Sequence, residues 1–223
     1  GKLWRGILRV VESSSLNSKN VTEFLNTITK NGNKWHDEVV DTFLEDYNGT
    51  RCVLDHLPKD YSYEYKPKLM QAYAAHKVLR NKYFMNLSGV GAGKTLSAIL
   101  ASRIVNSKFT VIVCPNDIVG QWKATIKKVF PDSLVYTSAD PMDIEDGLSR
   151  RAFSINRKES KYQYVVINYE KFSLADSRQL ILDFTNQKID FVILDEVHFA
   201  KKRGDDNPRY TRMISEKYQS QSV

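Results

Sequence analysis

The sequence predicts an α/β fold, a mainly parallel sheet covered by helices on both faces and preceded by a small helical appendage. Three observations predict it. From Tyr83 onward, short and continuously apolar runs alternate with segments of helical periodicity, the pattern of strands buried on both faces. The first of these runs passes into a glycine loop, Ser88-Gly89-Val-Gly91-Ala92-Gly93-Lys94-Thr95, which opens an apolar-periodic helix. The last, Phe191-Val-Ile-Leu-Asp195-Glu196-Val-His198, delivers two carboxylates at its C-terminal end, the edge at which an open parallel sheet holds its ligands.

Taken in order, residues 1 to about 60 read as the appendage. Val21, Phe24, Leu25 and Ile28 share one helical face, with Asn20 and Glu23 placed like a capping box and Asn31-Gly32 as the stop. Trp35, Val39, Val40, Phe43, Leu44 and Tyr47 line a second amphipathic helix that ends at Asn48-Gly49. A tyrosine-rich linker, Pro58 to Tyr65, leads to Pro67 as the first residue of a helix through Leu79. Thereafter the reading is strand Tyr83–Leu87, helix Lys94–Asn106, strand Phe109–Cys114, helix Asp117–Val129 and strand Leu134–Thr137. A polar segment carrying Arg150, Arg151, Arg157, Lys158 and Lys161 precedes strand Tyr164–Asn168, helix Asp176–Phe184 and strand Phe191–Leu194. Residues 61–223 form the second unit.

Composition sets the outer bounds. The 223 residues, 42% hydrophobic and 26% charged, suit one sizeable domain with an appendage. No apolar run approaches the ~20 residues of a membrane span, and no secretory leader opens the chain, so an intracellular, cytoplasmic or nuclear, setting without membrane partners is expected. The two cysteines, Cys52 and Cys114, and four histidines show no ligand spacing, which predicts no structural zinc. A net charge of +7 is compatible with a polyanionic partner. The start at Gly1-Lys2 and the end at Ser222-Val223 read as the borders of a piece of a longer protein.

The glycine loop has the chemistry of a phosphate cradle. Backbone N–H groups of Gly89, Gly91, Ala92 and Gly93 would converge on an anion at a helix N-terminus, Lys94 would reach the β/γ oxygens, and the Thr95 hydroxyl would ligate Mg²⁺. Asp195 would hold the same Mg²⁺, usually through water, and Glu196 would orient and activate the water that attacks the γ-phosphate. The plain alternatives are a glycine-rich turn before a core helix and an acidic pair that caps a helix.

In this order the segments resemble the first RecA-like lobe of superfamily 2 helicases and translocases, most closely the Swi/Snf-related ATPases. The loop is similar to their motif I, and Val111-Ile-Val-Cys114-Pro115-Asn116 with the later Gln121-Trp122 to motif Ia. Val165-Val-Ile-Asn168-Tyr169-Glu170 resembles motif Ib, and Asp195-Glu196-Val197-His198 with Lys201 and Lys202 resembles motif II. The resemblance covers about residues 66 to 205. It implies a RecA-like P-loop domain that binds ATP and Mg²⁺, with Lys94, Asp195, Glu196 and His198 in the catalytic set and Gln71 reading adenine. It also implies double-stranded DNA as partner, contacted along its backbone by Asn116, Lys123 and Asn168. A second RecA-like lobe of the same native chain would supply an arginine finger, which can be worth ~10³ to 10⁵ in rate. The piece alone, ending before motif III, should therefore be nearly inactive.

Alternatives remain at the level of residues. Asn116 can also be read as a turn residue after Pro115, the basic set as a solvated connection, and Gln71 as a solvent-facing helix position. At the level of function, the alternatives are a strand-separating DNA or RNA helicase and a nucleotide-gated binding module.

Overall fold

Phe109–Cys114, apolar or β-branched throughout, forms β1, and both of its edges are paired in parallel. One edge meets β3 (Gln163–Asn168), with Val111 opposite Val165 and Cys114 opposite Asn168; the other meets β4 (Phe191–Leu194), with Val113 opposite Leu194. β2 (Leu134–Thr137) adds to the outer side of β3, so the order is β2-β3-β1-β4. The computed structural model describes residues 34–81, 83–89, 91–139, 161–170 and 189–196. The helix expected near residues 20–31, the basic positions Arg150 to Lys158, the helix over 176–184, and His198, Lys201 and Lys202 lie outside them.

Because strand side chains alternate, each face of the sheet collects its own core. Ile112, Cys114, Tyr164, Val166 and Ile193 point to one face, where α4 (Val119–Val129) lays down Val119, Trp122, Ile126 and Val129, and α3 (Lys94–Ile104) adds Ile99. Phe109, Val111, Val113, Val165 and Ile167 are equally buried on the other face, on which no helix packs among the described residues. A third cluster joins α1 (Lys34–Asp55), α2 (Leu69–Arg80) and α3 through Val53, Ala72, Ala75, Leu100 and Ala101.

The orientation of α3 is set at its C-terminal end. Asn106 turns left-handed (φ 55), its N–H bonding Arg103 O and that of Ser107 bonding Ser102 O, which closes the helix in a Schellman turn. At this end Arg103 is buried: Nε donates to the Tyr164 hydroxyl (3.2 Å), and the terminal nitrogens donate to Ser133 Oγ (2.7 Å) and Asp60 Oδ2 (2.6 Å). Its plane lies over Phe130 and Tyr162. Tyr164 and Ser133 sit where β3 and β2 begin. The helix therefore runs antiparallel to the strands, and its eleven residues, at about 1.5 Å each, return its N-terminus to the carboxyl edge of the sheet.

Besides α3 ending at Ile104 rather than Asn106 and β3 starting at Gln163 rather than Tyr164, expectation and structure part at four places. Tyr83–Leu87 makes no strand; Tyr83, Phe84, Met85 and Leu87 are exposed, and Asn86 Oδ1 accepts the Ser88 N–H at 3.1 Å, a local turn that competes with a ladder. α2 starts at Leu69 rather than Pro67, with Lys68 N–H donating to the Gln71 side chain at 2.8 Å. Ahead of α4, Asn116–Ile118 forms a 3₁₀ turn, so the α-helix starts at Val119 rather than Asp117. Finally, α1 runs straight through Asn48-Gly49 to Asp55.

The cause of that last difference is packing. The His76 ring of α2 occupies the space beside Gly49, and a Cβ there would lie 2.0 Å from His76 Cε1. Asp46, one turn earlier, takes Lys77 Nζ at 2.9 Å and faces His76 Nε2 at 3.5 Å. Gly49→Ala should therefore destabilise the chain by about 1–3 kcal/mol, although helix propensity alone favours alanine by about 1 kcal/mol. A urea-unfolding midpoint at or above that of the parent chain would contradict this packing account.

Candidate nucleotide site

The loop before α3 takes the shape its glycines permit. Gly91 and Gly93 both have φ of 77°, a region where a side chain is strained, and nothing lies within 4 Å of a Cβ built at Gly89 or Gly91. Ala92 N–H donates to Gly89 O at 3.3 Å, so this amide closes the turn itself. Gly93 caps α3, its carbonyl accepting Ser97 N–H (3.1 Å) and Oγ–H (3.2 Å). Lys94 and Thr95 follow in the first turn, partly exposed. Open space over Gly89 and the left-handed Gly91, just ahead of the N-terminus of a packed helix, fits a phosphate group.

Gln71 is not solvent-facing. Buried on α2, it accepts Lys68 N–H through Oε1 and donates through Nε2 to Gly93 O at 3.4 Å. A Cβ on Gly93 would lie 2.2 Å from that Nε2, so a side chain there would displace the Gln71 amide, and the φ of 77° is what calls for glycine. The amide thus touches the loop directly, with both polar ends engaged.

At the same edge, Asp195 N–H bonds Val113 O at 2.9 Å, which extends the β1–β4 ladder by one residue. Glu196 then turns left-handed (φ 51) and is exposed. Two aromatic side chains that sequence reasoning had not connected to this turn hold it. Trp122 Nε1 donates to Asp195 Oδ2 at 3.1 Å, and the Tyr169 hydroxyl donates to Asp195 O at 2.6 Å. The only signals in the sequence were the pairs Gln121-Trp122 and Asn168-Tyr169; a partner 73 residues away leaves no periodic trace.

The structure also locates the residues expected to meet nucleic acid. Asn116 lies in the 3₁₀ turn after β1 and Asn168 at the end of β3, and Asn168 Nδ2 donates to Asn116 Oδ1 at 2.8 Å. Asn168 is buried and Asn116 exposed; Lys123, on α4 next to Trp122, is half-buried. Among the described residues no three His, Cys, Asp or Glu side chains gather to hold a metal unaided. Thr95 and Asp195 fit Mg²⁺, which keeps waters and takes phosphate oxygens to complete its shell.

Cys114, at the end of β1, reports the electrostatics of this edge. Burial first, and then the charges of Asp195, Asp117 and Glu170, push its thiol up from 9.0 to about 12. The folded chain holds that proton, so its contribution to stability is complete below pH 9.0 and is lost as pH rises toward about 12. Alkylation of the native chain at pH 8 should label exposed Cys52 and spare Cys114, and denaturant should release the second thiol. Equal labelling of both in the native state would contradict the burial of β1's carboxyl end.

The family of the type III restriction enzyme, res subunit, matches residues 64–223, which takes in the glycine loop and every strand of the sheet. No curated protein matches the chain. On its parallel sheet, its loop and its acidic turn, the chain belongs to the type III restriction enzyme res subunit family and carries that family's helicase-like, RecA-type ATP-binding domain of superfamily 2.

Proposed function

We propose that the chain is the N-terminal motor lobe of an ATP-dependent, double-stranded DNA translocase, a reading that the likeness of motifs Ia and Ib to Swi/Snf-related ATPases supports. The observation that carries its ATP-binding part is topological: the glycine loop heading α3 and the acidic turn after β4 leave the same edge of the sheet. Bound Mg²⁺ supplies charge neutralisation and orients the phosphates. Loop amides and the N-terminus of α3 bind the phosphate chain, Lys94 adds a positive charge at its end, and Thr95 and Asp195 hold the ion. Glu196, exposed beyond Asp195, would orient the attacking water and take its proton. Asn116, Lys123 and Asn168 would meet a sugar–phosphate backbone, which carries little sequence information. The second lobe, with its arginine finger, is proposed on the family resemblance alone.

Lys94→Ala tests the loop. Affinity for Mg–ATP or Mg–ADP by calorimetry should fall about a hundredfold, as expected for loss of a charged hydrogen-bond donor to phosphate. Equal affinities would refute the loop as the phosphate site.

The substrate is tested separately, on the native full-length protein. Its ATPase activity should rise with duplex DNA of any sequence, and DNA binding should weaken steeply with salt. Stimulation by RNA alone, or strand displacement without duplex stimulation, would instead favour a strand-separating helicase. Nucleotide binding with no turnover under any of these ligands would favour a nucleotide-gated binding module.

A further inference from the structure

The indole of Trp122 reaches the edge of the nucleotide site from within the core. It is 2% exposed, packed with Ile112, Ile126 and Ile193, yet its one polar atom leaves that core to donate to Asp195 Oδ2. A buried indole N–H needs an acceptor, and here the acceptor is a carboxylate, the stronger kind. The main chain of the same residue is fixed independently, by Val113 O on its N–H and by the Tyr169 hydroxyl on its carbonyl. With backbone and Oδ2 both held, the position of Oδ1 is set as well.

We propose that Trp122 is a positioning residue for Asp195, holding Oδ2 so that Oδ1 alone is presented to the metal of a bound Mg–nucleotide. This rests on the nucleotide reading of the loop. Trp122 contacts neither metal nor nucleotide in this role. It spares the carboxylate the rotamer search that metal binding would otherwise have to end, and its loss is felt in metal affinity rather than in nucleotide contacts.

The test uses the chain itself with Mg²⁺ and ADP. Trp122→Phe keeps an aromatic ring in the core and removes the N–H. The Mg²⁺ concentration for half-saturation in the presence of ADP should rise about tenfold, in line with loss of a hydrogen bond to a charged group, while metal-free ADP affinity stays within about twofold of the parent chain. A purely structural role would weaken both alike, and that result overturns the proposal, as does an unchanged Mg²⁺ requirement. A second measurement needs neither nucleotide nor a stable Trp122 variant. Of the three indole signals in a ¹H–¹⁵N spectrum, that of Trp122 should move on Asp195→Asn, and an unmoved set of signals overturns the proposal. A parent chain that binds no Mg–ADP at all overturns the nucleotide reading and this role with it, whereas the selective results above bear on Trp122 alone.

Discussion

The site depends on β1 being paired on both sides in one register. A parallel ladder that slips by one residue turns every side chain to the opposite face, and β1 is apolar on both faces, so its own pattern does not forbid the slip. The ends supply what the middle lacks. Asp190 Oδ2 accepts the N–H groups of Lys108 (3.0 Å) and Phe109 (2.9 Å), and Asp190 N–H returns to Phe109 O, pinning the start of β4 to the start of β1. At the other end Asp195 N–H closes on Val113 O. Between these pins, Asp195 can only emerge beside Trp122. Thr110, the one polar side chain in β1, meets Ser107 Oγ at 2.7 Å and so adds no unpaired group to the core.

The opposite edge fixes the helix that carries the loop. Burying a guanidinium costs several kcal/mol before its partners are counted. Arg103 offsets this with a carboxylate, two hydroxyls and two aromatic rings, drawn from three separate stretches of the chain, at Asp60, Phe130 to Ser133 and Tyr162 to Tyr164. Such a set of partners admits little sliding or rotation of α3 on the sheet. Asp60 belongs to the segment before α2, so the same residue also ties that segment down, and Ser62 N–H on Val129 O repeats the tie at the end of α4. The glycine loop is thus held at the far end of a helix anchored where no ligand is expected. Its own conformation is left to Gly91, Gly93 and the contact with Gln71.

What was legible in the sequence follows from this division. Strands β1, β2 and β4 were bounded correctly from their apolar runs, which are continuous in β1 because it is buried on both faces. The glycine loop and the acidic turn were legible as local strings. Tyr83–Leu87 misled because apolar content reports a wish for burial, whereas a strand also needs a partner edge, and Asn86 diverts the backbone into a turn. Asn48-Gly49 misled because a glycine that makes room for a ring from another helix looks, in one dimension, like a glycine that ends its own. The link from Trp122 to Asp195 was invisible for the same reason: it exists only after β1 and β4 are side by side.

Backbone conformation separates the functional edge from ordinary structure. Left-handed φ occurs at Gly91, Gly93, Asn106 and Glu196 among the described residues. Asn106 has a complete local account, since asparagine tolerates that region and the Schellman bonds that end α3 require it there. The two glycines adopt it without steric cost. Glu196 has neither excuse: a residue of its kind gives up about 1–2 kcal/mol in that conformation, no helix end among the described residues calls for it, and the Tyr169 hydroxyl bond to the preceding carbonyl helps to hold it. Strain that is over-determined by its surroundings concentrates at sites that use it. Here it falls on the exposed residue that follows the candidate metal carboxylate, where the backbone leaves the extended path of β4.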